Sequence, residues 1–182
     1  MHDVLLIVDV LQDFEHDDGP TLLESLRQRR AQISRALARA RASVTPIVYA
    51  NDNRGAWDSD VWRLVEDSLS GPGRDVVEAL VPEQGDRFVV KPRYSAFDHT
   101  PLALILEELG CERLLIAGAS TEGCVAQSAI DARELGYRVS VVAAACATTD
   151  PELERTALRY LTDVVGVRLS DPEEIGRPTE SA

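Results

Sequence analysis

The chain has 182 residues, 31 acidic and 19 basic, for a net charge of −12; 45% are hydrophobic and 27% charged. That length fits one domain able to close a hydrophobic core, and the composition is that of a globular chain rather than a disordered one. The acidic balance argues against sequence-independent binding to phosphate backbones, and apolar runs as short as Val4–Val8 and Leu114–Ala117 argue against a membrane span.

Val4–Asp9 is a short, continuous, β-rich run and reads as a buried strand. From Pro20 to Ala42, Leu22, Leu26, Ile33 and Leu37 recur at helical spacing, with Arg27, Arg30, Arg35 and Arg41 on the opposite face, which predicts an amphipathic helix. Pro46–Asn51 is a second strand. The polar loop Asp52–Asp60 follows it, then a short helix over Val61–Leu69 ended by Gly71-Pro72-Gly73. Arg87–Lys91 is the third strand. Thr100 and Pro101, as N-cap and first helical residue, open a helix that runs to Gly110. Glu112–Gly118 is the fourth strand, Glu122–Leu135 a helix stopped by Gly136, and Tyr137–Ala144 the fifth strand. Asp150 and Pro151 repeat the capped start for a helix reaching Thr162, and Val164–Leu169 is the last strand. The tail, residues 171–182, holds Pro172 and Pro178 with little apolar content and reads as a surface extension. Six strands alternating with helices imply an α/β protein. We expect one domain over residues 1–182: a three-layer αβα arrangement around a six-stranded, mostly parallel, Rossmann-like sheet.

In such sheets ligands sit beyond the carboxyl ends of the strands, where the strand order reverses. That rule selects Asp9, Asn51, Asp52, Lys91 and the segment Ser120–Cys124. A cysteine in the first turn of a helix meets the positive end of the macrodipole and unpaired N–H groups, and both favour the nucleophilic thiolate. The competing reading of Cys124 is a small buried hydrophobe, the role assigned to Cys111 and Cys146. Three cysteines without CxxC spacing do not make a disulfide scaffold or a zinc ribbon. Asp9 ends an apolar strand, where a carboxylate needs a partner or a task; a strand-end salt bridge would suffice. Lys91 either snorkels at the sheet edge or holds its ammonium inside a site.

Taken together, the three residues describe a reaction. Asp9 accepts the thiol proton and returns it to a leaving amine, while Lys91 holds the thiolate. Backbone N–H groups of Ser120 and Cys124 form the oxyanion hole. The outcome is acyl transfer through a thioester, followed by attack of water. No histidine is placed for the base role: His2 and His16 flank the first strand, and His99 precedes a helix.

Three blocks, LLIVDVLQDF (5–14), VVKPRYSAF (89–97) and AGASTEGCVAQSAIDARELGYRV (117–139), resemble the signature segments of the isochorismatase-like cysteine hydrolases. The resemblance covers nearly the whole chain, in order and at the usual spacing. It implies a six-stranded parallel sheet between helices, an Asp–Lys–Cys triad at Asp9, Lys91 and Cys124, and a cis peptide between Ala119 and Ser120. That bond would aim the Ser120 N–H into the oxyanion hole beside that of Cys124. The resemblance also implies a homo-oligomer, a dimer or larger. Nicotinamidases of this family place an Asp and two His metal ligands after the second strand; here Asn51-Asp52-Asn53-Arg54 has no histidine, so no metal or other cofactor is expected. Isochorismatases proper cleave a vinyl ether and lack the cysteine, so Cys124 favours C–N bond hydrolysis.

The expected function is metal-independent cysteine hydrolysis of a small amide, imide or carbamoyl compound. The partner is a small-molecule substrate, not nucleic acid or a membrane, and the location cytoplasmic, since no basic stretch leads into a long apolar core. One alternative is vinyl-ether hydrolysis with Asp9 as the acid and Cys124 a bystander. Another is a binding or redox-sensing domain, although Asp9–Phe14 contains no glycine with which to cradle a phosphate. Asn51, Asn53, Trp57, Trp62, Arg93, Tyr94 and Phe97 fall near the rim as candidate substrate contacts, with Phe14 either core or pocket wall. Each tryptophan could instead pack the loop or a subunit contact, and Arg93 could bind a substrate carboxylate or an acid of the chain.

Overall fold

A computed structural model describes residues 2–53, 55 and 60–177; Trp57 lies outside them. Six strands form one parallel sheet: β1 (Asp3–Val8), β2 (Ile47–Asp52), β3 (Arg87–Lys91), β4 (Arg113–Ala119), β5 (Arg138–Ala147) and β6 (Arg168–Ser170). Their order across the sheet is β3-β2-β1-β4-β5-β6, every neighbouring pair parallel. The order therefore reverses between β1 and β4. Chain leaving β1 turns one way and chain leaving β4 the other, opening a crevice between them.

The period-2 alternation of a strand sorts β1 onto two cores. Leu5 and Ile7 face α1 (Gly19–Ala42), packing with Leu22, Leu26, Ile33 and Leu37. Val4, Leu6 and Val8 face the other layer. There Leu102 and Leu106 of α4 (Leu102–Glu108) and Ala129 and Ala132 of α5 (Ala126–Glu134) complete the cover. Every residue of Val4–Val8 is wholly buried, which is why the run shows no polar interruption. The α1 arginines serve as clips. Arg27 pairs with Asp75 at 3.1 Å, in the short helix α3 (Arg74–Val77) that follows α2 (Val61–Ser70). Arg41 reaches Glu83 at 3.0 Å and Asp86 at 3.1 Å ahead of β3. Arg113 and Asp3 form a buried ion pair across β1 and β4. No helix among the described residues is long and apolar enough to cross a membrane.

Three expectations change. The helix expected over 122–135 begins instead with a π-helical turn, Thr121–Val125, before α5. After α6 (Pro151–Tyr160), a second π turn, Leu161–Val165, occupies the start of the expected last strand. Gly166 then reverses the chain at φ 75°, and β6 keeps only three residues. The Val164-Val165 pair is β-prone locally, but Leu161, fully buried in the core, carries the helix onward. Nor is the tail from Asp171 wholly a surface extension: Ile175 is fully buried against the α1 layer, with Arg35 paired to Glu173 at 2.9 Å.

Gly118 faces Val8 across the β1–β4 pair at φ 123°, and a Cβ there would lie 2.0 Å from the Val8 carbonyl oxygen. Gly118→Ala is expected to cost about 3 kcal/mol or more of stability, read as a lowered urea midpoint. An unchanged midpoint would mean that the two strands do not approach this closely.

Candidate active site

Asp9 is the first residue past β1 and turns the chain with φ 47°. Its backbone N–H still bonds to Ala50 O (2.9 Å), holding it against β2. Its carboxylate, 5% exposed, accepts from the Asp52 N–H at 2.8 Å and from Lys91 Nζ at 2.6 Å. Lys91 closes β3, in register with Asp52, and its side chain is 1% exposed. The ammonium uses all three donors: on Asp9 Oδ2, on Arg93 O at 2.9 Å and on Cys124 Sγ at 3.4 Å. Cys124 lies in the π turn after β4, half-buried. The structure thus brings together three residues that the sequence separates by more than thirty positions each.

The turn that carries Cys124 is held from several sides. Gly123 N and Val125 N both donate to Ser120 O at 3.1 Å. Thr121 Oγ1 bonds Ala147 O at 3.0 Å and Glu154 Oε1 at 3.2 Å, and Glu154 in turn pairs with Arg29 at 3.3 Å. Ser128 Oγ donates to Cys124 O (2.6 Å) and accepts from Ala96 N (2.9 Å), tying the turn that carries Cys124 to the segment after β3. The Ala119–Ser120 peptide bond is cis.

The remaining candidates divide. Asn51 lines the cleft, but its amide is spent on the backbone: Leu11 N at 3.0 Å, Leu11 O at 2.8 Å and Asp52 O at 3.0 Å. It fixes the loop after β1. Phe14 is core, not pocket wall; at φ 60° its ring turns inward, 3% exposed, and fills the space that a side chain at Gly73 would need. Asn53 is buried and accepts from Gly55 N at 3.0 Å, outside the cleft lining. Arg93 pairs with Asp98 at 3.4 Å, Phe97 stacks on Tyr137 with centroids 6.2 Å apart, and both line a neighbouring hollow. Tyr94 borders both spaces. Trp62, 60% exposed on α2, is absent from the cleft lining.

Sequence reasoning missed two residues. Gln12 lines the cleft and donates to Asp9 O at 2.8 Å. Glu122 accepts from Thr148 Oγ1 (2.7 Å), Thr149 N (2.9 Å) and Thr149 Oγ1 (2.7 Å), clamping the loop after β5 to the cleft wall. A capping carboxylate beside the motif cysteine was the available signal. Among the described residues no group of three or more His, Cys, Asp and Glu could hold a metal ion.

Electrostatics correct the expectation of a resting thiolate. Burial, and then the charge of Asp9, push the Cys124 thiol up to about 12 against the opposing pull of Lys91. Burial also raises the Asp9 carboxyl above its ordinary range, even with Lys91 beside it. Burial would lower Lys91, but the charges of Asp9 and Cys124 outweigh it and hold the ammonium above its usual value. Geometry pairs Lys91 with Asp9 at 2.6 Å, and burial favours the neutral thiol at Cys124.

A parallel sheet of this order, with an ion pair and a cysteine at its switch point, defines a Rossmann-like α/β protein. The Isochorismatase domain model matches residues 3–171, and the chain belongs to the isochorismatase family. It is 30% identical over 171 residues to the uncharacterized isochorismatase family protein YaaI of Bacillus subtilis, covering 94% of each chain. It is 30% identical over 178 residues to the maleamate amidohydrolase of Pseudomonas putida, covering 93% of this chain and 75% of that one. The crystal structure of N-carbamoylsarcosine amidase from Thermoplasma acidophilum superposes with TM-score 0.72 at 26% identity, over 96% of this chain and 99% of that one. The family is one of hydrolases, and amide hydrolysis is represented among these relatives.

A thiol raised in the folded protein keeps its stabilised protonated form below the free-cysteine value of roughly 8.5; that contribution fades as pH climbs toward about 12. Alkylation of Cys124 by iodoacetamide should accordingly rise with a midpoint above that of free cysteine. Asp9→Asn should lower the midpoint by removing the opposing negative charge. A wild-type midpoint below that of free cysteine, read by peptide mapping across pH 6–11, would contradict this ordering.

Proposed function

We propose that the chain is a cysteine hydrolase that cleaves the C–N bond of a small amide, imide or carbamoyl compound through a thioester on Cys124. The observation that carries the reading is the Lys91 ammonium, 2.6 Å from Asp9 and 3.4 Å from Cys124 Sγ in a buried crevice. As Sγ attacks the substrate carbonyl carbon, its proton passes to Asp9. The thiolate so formed pairs with Lys91 in place of the carboxylate, the three groups still summing to zero; as the S–C bond forms, that negative charge passes from sulfur to the carbonyl oxygen and stays balanced by the Lys91 ammonium. No uncompensated charge arises in the buried site, which lowers the barrier to using a thiol with so high a resting pKa.

Negative charge that develops on the carbonyl oxygen falls to the backbone N–H groups of Ser120 and Cys124. Protonated Asp9 gives its proton to the leaving nitrogen, and the C–N bond breaks to leave the thioester. Asp9 then takes a proton from water as its oxygen attacks; the C–S bond breaks, and the proton returns to sulfur. Amide plus water yields carboxylic acid plus amine or ammonia. The electrostatic work rests on Lys91.

Cys124→Ser, Asp9→Asn and Lys91→Met are each expected to lower kcat for ammonia release by about a thousandfold or more. Rapid acid quench of the wild type should show the enzyme mass increased by one acyl group. Near-normal ammonia release by Cys124→Ser would sink the thioester reading.

A further inference from the structure

The cleft over Cys124 is larger than a reacting amide needs. Its volume is about 1250 Å3, above the roughly 300–1,000 Å3 of ordinary small-molecule sites. One side of it is hydrocarbon. The facing surfaces of α5 and α6 contribute Ile130, Leu153, Ala157 and Tyr160. Residues 153, 157 and 160 recur at four- and three-residue spacing, so on α6 they share one face. Leu153 is 52% exposed and Tyr160 51%, an open apolar stripe continuous with the nucleophile.

The charge pattern points the same way. Glu15, Asp18 and Glu122 line the cleft, and among its described lining residues Lys91 is the only lysine or arginine. Lys91 is already matched by Asp9 and has no donor left over. Arg93 is turned to Asp98 in the neighbouring hollow. Among the described lining residues, a carboxylate on the substrate would meet acidic side chains and no unmatched lysine or arginine; His16 is turned to Gln12 at 3.0 Å.

We propose that the cleft selects uncharged amides whose acyl portion is a branched alkyl or phenyl group, seated against Ile130, Leu153, Ala157 and Tyr160, and rejects amides that carry a carboxylate. The inference rests on the amidase reading and names its substrate class. Binding of the hydrocarbon group is common to ground and transition states, so the wall acts mainly through KM.

Two measurements test it. Ammonia release is compared for isovaleramide, benzamide and succinamate, with the hydrocarbon amides expected to show kcat/KM about 100-fold higher than succinamate. Tyr160→Ala should raise KM for benzamide about tenfold with little change in kcat, and Tyr160→Phe should restore it. The second measurement needs no turnover. An aldehyde adds to the thiol, forming the S–C bond while the thiol proton moves to the carbonyl oxygen, and so shields Cys124 from iodoacetamide at pH 9. Isovaleraldehyde and benzaldehyde should protect at concentrations at least about tenfold lower than succinic semialdehyde. Preference for succinamate and its aldehyde, or a benzamide KM indifferent to Tyr160→Ala, overturns the inference and leaves the amidase reading standing. Selective protection by the hydrocarbon aldehydes with no amide hydrolysed supports the apolar seat and overturns the amidase reading instead.

Discussion

Everything at the crevice depends on one buried ion pair, Lys91 with Asp9 at 2.6 Å. Two charges removed from water are costly, and their attraction repays the loss only where the remaining hydrogen-bonding capacity is filled. Here it is. The second Asp9 oxygen takes the Asp52 N–H, and the other two Lys91 donors go to Arg93 O and Cys124 Sγ. The pair also spans the sheet. β1 and β3 are separated by β2, about 10 Å for two strand spacings, and the long lysine stem crosses that gap. A shorter cation at position 91 would not reach.

The sulfur is held to this pair by contacts that belong to the fold as much as to the chemistry. Thr121 joins the π turn to Glu154 of α6, and Arg29 of α1 pairs with the same carboxylate. Ser128 joins it to the segment that follows Lys91. Helices from both faces of the sheet thus converge on one turn, and the sulfur cannot drift from the ammonium without disturbing a core contact.

Much of this was legible in the residues. The strands announced themselves because a sheet covered on both faces demands unbroken apolar runs, and Asp9 and Lys91 stood out as charges closing such runs. Other features were not legible, each for a physical reason. Phe14 could face either way until the positive φ at that residue turned it into the core. Asn51 looked like a rim contact because nothing local reveals that its amide closes the loop at Leu11. The thiol was misjudged because the helix dipole can be read from position, whereas burial beside a carboxylate exists only after folding. The α5–α6 wall requires two helices distant in sequence to face one cleft.

The ammonium whose three donors are all engaged has a consequence for how this chain can vary. Shifting a proton from sulfur to carboxylate only displaces a small dipole within the crevice. The potential of distant surface groups acts on such a dipole only through its gradient, which falls off faster than the potential itself. The acidic exterior, with its net charge of −12, is therefore nearly decoupled from the chemistry. Surface carboxylates can be gained or lost for solubility or association while the balance among Asp9, Lys91 and Cys124 stays where the interior sets it.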